Sequence, residues 1–160
     1  MQVHIETEIN APAEHVWQIL AHQFADMADW TSTLSESRAI GRSELPEGLT
    51  IAAHAPVPAR ETTSSFAKAI EVISDYSEEE MELTFVAANL PPILSSAANT
   101  QRVISQGDDK CLITFDMNIG LRGIFKIMVP FLNRRFQKTM SGVQNDLKVF
   151  VETGQVALAN

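Results

Sequence analysis

The side chains best suited to acid–base or metal chemistry are four histidines, His4, His15, His22 and His54, and a few charged residues near the ends of strand-like segments, Glu61, Arg102 and Asp116. The histidines show no metal-ligand spacing. No HExxH, zinc-spaced Cys/His set, phosphate loop or nucleophile elbow occurs, so neither a metal nor a cofactor is expected. His54 reads either as a proton donor or hydrogen-bond anchor at a cavity mouth, or as a strand-end histidine open to water. It has no visible orienting partner, which favours the second reading. Asp116 alternates out of phase with Ile113, Phe115, Met117 and Ile119 and should face solvent. Arg102 lies in AANTQRVIS, where neither phase is cleanly apolar. Pointing inward it would pair with an acidic ligand; pointing outward it meets water, and the cost of an unpaired buried guanidinium favours that. His54 and Arg102 are thus weak catalytic candidates.

These residues need a frame. VHIETEI alternates, with Val3, Ile5, Thr7 and Ile9 on one face, as a half-buried strand does. A helix follows at once: Pro12 suits its first position, Glu14 suits the positive end of its dipole, and Val16, Trp17, Ile19 and Leu20 form its apolar stripe. A second helical turn is expected over 22–29. Strand-like segments then fall at 34–41, 49–54, 62–73, 81–88, 97–105 and 111–119, separated by turn residues. From Phe131 the period changes: Phe131, Leu132, Phe136, Met140, Val143, Leu147, Phe150 and Val151 make one helical face, with Pro130 as a start and Gly154 as a stop. The order predicts an α+β domain, a curved antiparallel sheet of about seven strands closing over a long C-terminal helix, with two short helices after the first strand.

Composition agrees with one folded domain over 1–160: the chain is 45% hydrophobic and 20% charged. The single cysteine, Cys111, excludes an internal disulfide, MQVHIETE lacks the marks of a secretory signal, and no apolar run reaches the length of a membrane span, so a soluble cytoplasmic protein is expected. A net charge of -8 argues against general nucleic-acid binding.

The strand-then-APAEHVW opening, Trp30 just before the second strand, IEVISDY followed by EEEMELTFVA, and the terminal LKVFVETG resemble the START-like, or Bet v 1-like, superfamily. Within it they are most similar to bacterial proteins of the polyketide cyclase/dehydrase type, and the resemblance runs over essentially the whole chain. It implies the helix-grip fold, in which short helices close one end of a cavity and a hydrophobic molecule sits between the concave sheet and the long helix. Some members bind lipids or hormones and a few cyclise or dehydrate polyketides. The residues expected to line such a cavity are Trp30, Phe66, Leu83, Phe85, Phe115, Met117, Phe136 and Met140, joined by His54 and Arg102 if these face inward; each apolar one would serve equally as core.

Charge is unevenly placed. Met117 through Asn145 contains no Asp or Glu but holds Arg122, Lys126, Arg134, Arg135 and Lys138, so this window is +5 and the remainder -13. With strands running up and down, APVPAR, NLPPILSS and GLRGIFKIMVP would share one acid-free end, opposite an end carrying Glu44, Glu47, Asp75, Glu78, Glu79, Glu80, Asp108 and Asp109. The sequence therefore suggests a binding module for a small hydrophobic, anionic molecule, lipid- or polyketide-like, entering through an electropositive mouth. The alternatives are a polyketide cyclase or dehydratase, and a peripheral module meeting an anionic membrane or a protein through 122–138. Oligomeric state is not legible.

Overall fold

The computed structural model describes residues 1–64 and 68–156. Seven strands form one sheet in the order β1-β7-β6-β5-β4-β3-β2: β1 Gln2–Ile9, β2 Glu36–Ala39, β3 Ala59–Thr63, β4 Lys68–Ser77, β5 Glu82–Ala88, β6 Leu94–Ser105 and β7 Cys111–Leu121. Every neighbouring pair is antiparallel. The short helix α1 (Ala13–Trp17) runs on as a π-helical turn, Gln18–His22, and a 3-10 segment, Phe24–Asp29. The long helix α2, Val129–Thr153, carries Pro130 in its first turn, where a missing N–H costs nothing. It ends at Gly154, whose left-handed φ of 70° places its N–H 2.8 Å from the Phe150 carbonyl. The expected helix-grip architecture is therefore present.

Three local expectations change. Pro12 caps α1 from just outside, its carbonyl accepting from the His15 and Val16 N–H groups. The segment 49–54 is not a strand: Leu49 and Ile51 pack over a small cluster of Ile40, Ala59, Ile70 and Val72, and only the Ala52 N–H reaches the sheet, 2.8 Å from the Ile73 carbonyl. That carbonyl is available because it faces the side of β3 just before that strand begins, where the Ile73 N–H donates to the Pro58 carbonyl at 2.9 Å. An apolar pair two residues apart looks the same in a covering loop as in a strand. The predicted strand 62–73 is in fact the end of β3 and most of β4, so the count of seven survives while the parity behind it does not. APVPA consequently belongs to the β2–β3 connection, at the acidic end with the β4–β5 and β6–β7 turns. The opposite end keeps the β5–β6 connection and the segment between β7 and α2.

Burial of Val16, Trp17, Ile19, Leu20 and Phe24 against Ile73, Leu83, Ile113, Phe115, Val143 and Leu147 builds the main core. Two buried polar side chains help to seat α2. Fully buried Gln144 accepts from the Thr7 hydroxyl at 2.7 Å and donates to the Ile5 carbonyl at 3.1 Å, tying the helix to edge strand β1. Buried Asp146 accepts from the Ser32 N–H and the hydroxyls of Ser32 and Thr31, tying it to the segment before β2.

Candidate ligand site between the sheet and the long helix

The alternation of β5, β6 and β7 turns two matched rungs toward α2. Phe85, Asn99 and Met117 are cross-strand partners on one; Leu83, Gln101 and Phe115 are partners on the next. With the alanines Ala87 and Ala97, and Met140 and Val143 from the helix, all of these but the core residue Leu83 line a chamber of about 110 Å³. It exists because small side chains face the middle of the helix. A cavity this small lies below the roughly 150 Å³ that holds a benzene-sized guest, so it admits a short chain or a small polar group at most.

One wall is polar. Arg60 and Glu71 are directly paired across β3 and β4, and the Arg60 side chain is only 4% exposed. Its Nε lies 2.5 Å from Glu71 Oε2, and its Nη1 donates to the Phe24 carbonyl at 2.7 Å. The guanidinium carbon stands 3.9 Å from the centre of the Phe24 ring and 5.3 Å from that of Phe85. A charge so enclosed is tolerable only because a carboxylate, a carbonyl and two π faces replace water. Beside it, buried Asn99 has a side-chain oxygen with no hydrogen-bond partner. A buried amide oxygen without a donor costs about 1–3 kcal/mol, which a donor group on a guest would recover. This wall can orient a neutral polar group.

A larger groove of about 430 Å³ opens at the acid-poor end, lined by Pro91, Ile93 and Leu94 on one side and Leu132, Arg135, Phe136 and Thr139 of α2 on the other. Phe136 stands one helical turn before Met140, so groove and chamber follow one another along the same helix face. The rim is shaped by a register slip in β6 between Leu94 and Ser96. There Gly120 of β7 lies so close that any side chain would strike Ser95 and Ser96.

Residues 1–148 match the family described as polyketide cyclase / dehydrase and lipid transport. The chain belongs to this family. Among solved structures, a START superfamily protein from Mycobacterium smegmatis superposes with a TM-score of 0.76 at 13% identity, covering 96% of this chain and 99% of the other. XoxI from Bacillus cereus gives 0.72 at 17%, covering 95% and 96%. A norcoclaurine synthase point mutant from Thalictrum flavum, in complex with a transition-state analogue, gives 0.70 at 14%, covering 96% and 95%. At such identities these likenesses speak for the fold alone. No functionally curated protein matches the sequence.

In this polyketide cyclase/dehydrase family member the residues expected to line a cavity separate into groups. Phe85, Phe115, Met117 and Met140 meet in the inner chamber, and Phe136 lines the groove. Trp30 and Leu83 are buried core without a place in either wall, and Phe66 lies outside the described residues. The two conditional candidates, His54 and Arg102, take the solvent-facing alternative and drop out of the cavity lining. His54 sits exposed in a turn of the β2–β3 connection, because 49–54 is not a strand. Arg102 faces outward, its Nε 2.6 Å from Glu82 on the convex face, because Asn99, Gln101 and Val103 take the inward phase of β6. Of the other candidates, Asp116 is outside as expected, 2.6 Å from His4 Nδ1, and Glu61 pairs with Arg38. Arg60, Glu71, Asn99 and Gln101 were not singled out from sequence. The phase shared by Ala97 and Val103 would have found the last two; Arg60 was hidden because its strand was started at Thr62.

Proposed function

We propose that the protein binds a small hydrophobic molecule bearing an anionic group, of the lipid or polyketide kind, along the inner face of α2. The reading rests on the apolar groove of about 430 Å³ that opens at the end of the molecule where the charge is positive. That volume lies in the range of small-molecule sites, roughly 300–1,000 Å³, whereas the inner chamber alone does not. The apolar body of the guest lies between Leu94 and Phe136, its anionic end stays near Arg135, and a deeper neutral polar group meets Asn99. The Arg60 charge is already neutralised by Glu71, so it is the mouth that selects for an anion.

Titration calorimetry with dodecanoate and dodecanol tests this. Dodecanoate should bind more tightly, the difference shrinking with added salt, and Leu132→Trp should abolish binding of both by filling the groove. Equal affinities, or full binding by Leu132→Trp, would refute the reading.

A second reading, cyclisation or dehydration of a polyketide, draws on the unpartnered Asn99 oxygen beside the buried Arg60. Its chemistry would come from these walls, His54 and Arg102 being turned to solvent. Under it, Asn99→Leu retains binding of a polyketone but loses its turnover; retained turnover removes it.

A further inference from the structure

The segment that joins β7 to α2 is apolar and yet turned to water. A 3-10 turn, Gly123–Met128, repeats every three residues, which sets Ile124 and Ile127 on one side; the first turn of α2 continues the ridge with Phe131. These three are 78%, 83% and 65% exposed, and Phe125 and Met128 beside them are more than a third exposed. Single exposed apolar residues are common, but five within eight positions form a patch that asks for a partner.

Charge says which partner. Arg122, Lys126, Arg134, Arg135 and Lys138 flank the ridge, and no acid occurs from Met117 to Asn145. Beyond Phe131 a shallow depression on the outer side of the helix is lined by Arg134, Arg135, Gln137, Lys138 and Ser141. A second copy of this chain would bring the same positive charge against itself. An apolar ridge that enters hydrocarbon, bordered by cations at the depth of phosphates, is instead the composition of an interfacial anchor. Among the described residues no helix is long and apolar enough to cross a membrane, so the contact is peripheral.

We infer that this face docks on an anionic membrane surface, with Ile124, Ile127 and Phe131 inserted among the acyl chains and Arg122, Lys126, Arg134 and Lys138 on the headgroup phosphates. The same end carries the groove, so a docked molecule presents its opening to the bilayer and can exchange an amphiphile with it. That last consequence rests on the proposed binding function; docking does not.

The experiment is co-sedimentation of the intact chain with vesicles of phosphatidylcholine, alone or with roughly a third phosphatidylglycerol. With about fivefold in partition for each cation engaged, the four engaged cations make the anionic vesicles about six-hundredfold better. Half-molar salt should remove most of that. Ile124→Asp/Ile127→Asp should lose at least tenfold with its unfolding midpoint unchanged, and Arg134→Glu/Lys138→Glu should lose the anionic preference. Absence of sedimentation with either vesicle, equal partition to both, or full partition by the isoleucine variant overturns the inference. So does self-association in solution that the isoleucine variant abolishes while vesicles fail to bind. Dodecanoate binding by calorimetry in the isoleucine variant reports on the groove separately.

Discussion

Breaking the Arg60–Glu71 pair from each side in turn measures whether the polar wall is a unit. Glu71→Leu removes the one carboxylate that faces a nearly inaccessible guanidinium and leaves it with the Phe24 carbonyl and two ring faces, contacts it already makes. Stranding one member of a buried pair costs about 3–5 kcal/mol. Glu71 retains 19% side-chain exposure, so water can reach the orphaned charge and the loss should fall near about 3 kcal/mol. Arg60→Met keeps an apolar stem between Phe24 and Phe85 and leaves a carboxylate on the wetter side, for about 2 kcal/mol. Replacing both by Met and Leu removes the desolvation problem with the attraction and should cost only about 1.5 kcal/mol, a coupling of about 3.5 kcal/mol. Urea unfolding followed by emission of the buried Trp17 and Trp30 reads this directly. With a slope of about 2 kcal/mol per molar, Glu71→Leu moves the midpoint down by about 1.5 M. Single effects that simply add in the double variant would refute the coupling, and with it the reason for calling the chamber electrically neutral.

Asp146→Ala should destabilise by about 3 kcal/mol, since three donors from Thr31 and Ser32 lose a buried carboxylate; a loss under about 1 kcal/mol would mean that water replaces it freely. His4 is held above its ordinary pKa by its hydrogen bond to Asp116 and then by Glu6. A raised folded pKa stabilises at acid pH and the gain disappears as pH rises through it. The melting-temperature advantage of wild type over His4→Gln should therefore be fullest below the ordinary histidine pKa of about 6.5 and shrink as pH rises above it. Both groups are half exposed, so the effect stays well below about 1 kcal/mol, and an advantage that grew with pH would reverse the assignment. Burial, helped by the charge of Glu14, pushes the Cys111 thiol up to about 11. At about pH 8 the native protein should resist a thiol reagent that labels it at once in urea; rapid native labelling would show that the start of β7 opens.

The elements with a strong period were legible. β1 and α2 announce themselves by alternation and by a three-and-four repeat because each is buried on one face only. The split between β3 and β4 was not, since TTSSFAKAI contains no glycine, proline, asparagine or aspartate to mark a reversal. The site was half legible for the same physical reason. Phe85, Phe115 and Met140 obey the rule that apolar residues go inside, and the rule finds them whether they line a cavity or fill a core. Arg60, Asn99 and Gln101 violate it, and a buried polar residue is recognised only once its partner is known, here one that the strand register supplies.

The charge asymmetry is where sequence and topology constrain each other most. Correcting the strands moves APVPA to the acidic end, which weakens the original argument for three acid-free loops. It leaves the β5–β6 connection and the β7–α2 segment, and those two carry the groove and the exposed ridge. A field built by this asymmetry would draw an anionic amphiphile and an anionic surface to the same pole, so steering alone cannot separate the two proposals. Packing can. Leu132 points to the groove and Ile127 to water, five residues apart on opposite sides of the same stretch of chain. Leu132→Trp should therefore end dodecanoate binding with vesicle partition intact, and Ile124→Asp/Ile127→Asp the reverse. Loss of both properties in either variant would mean that groove and ridge form one adaptable surface.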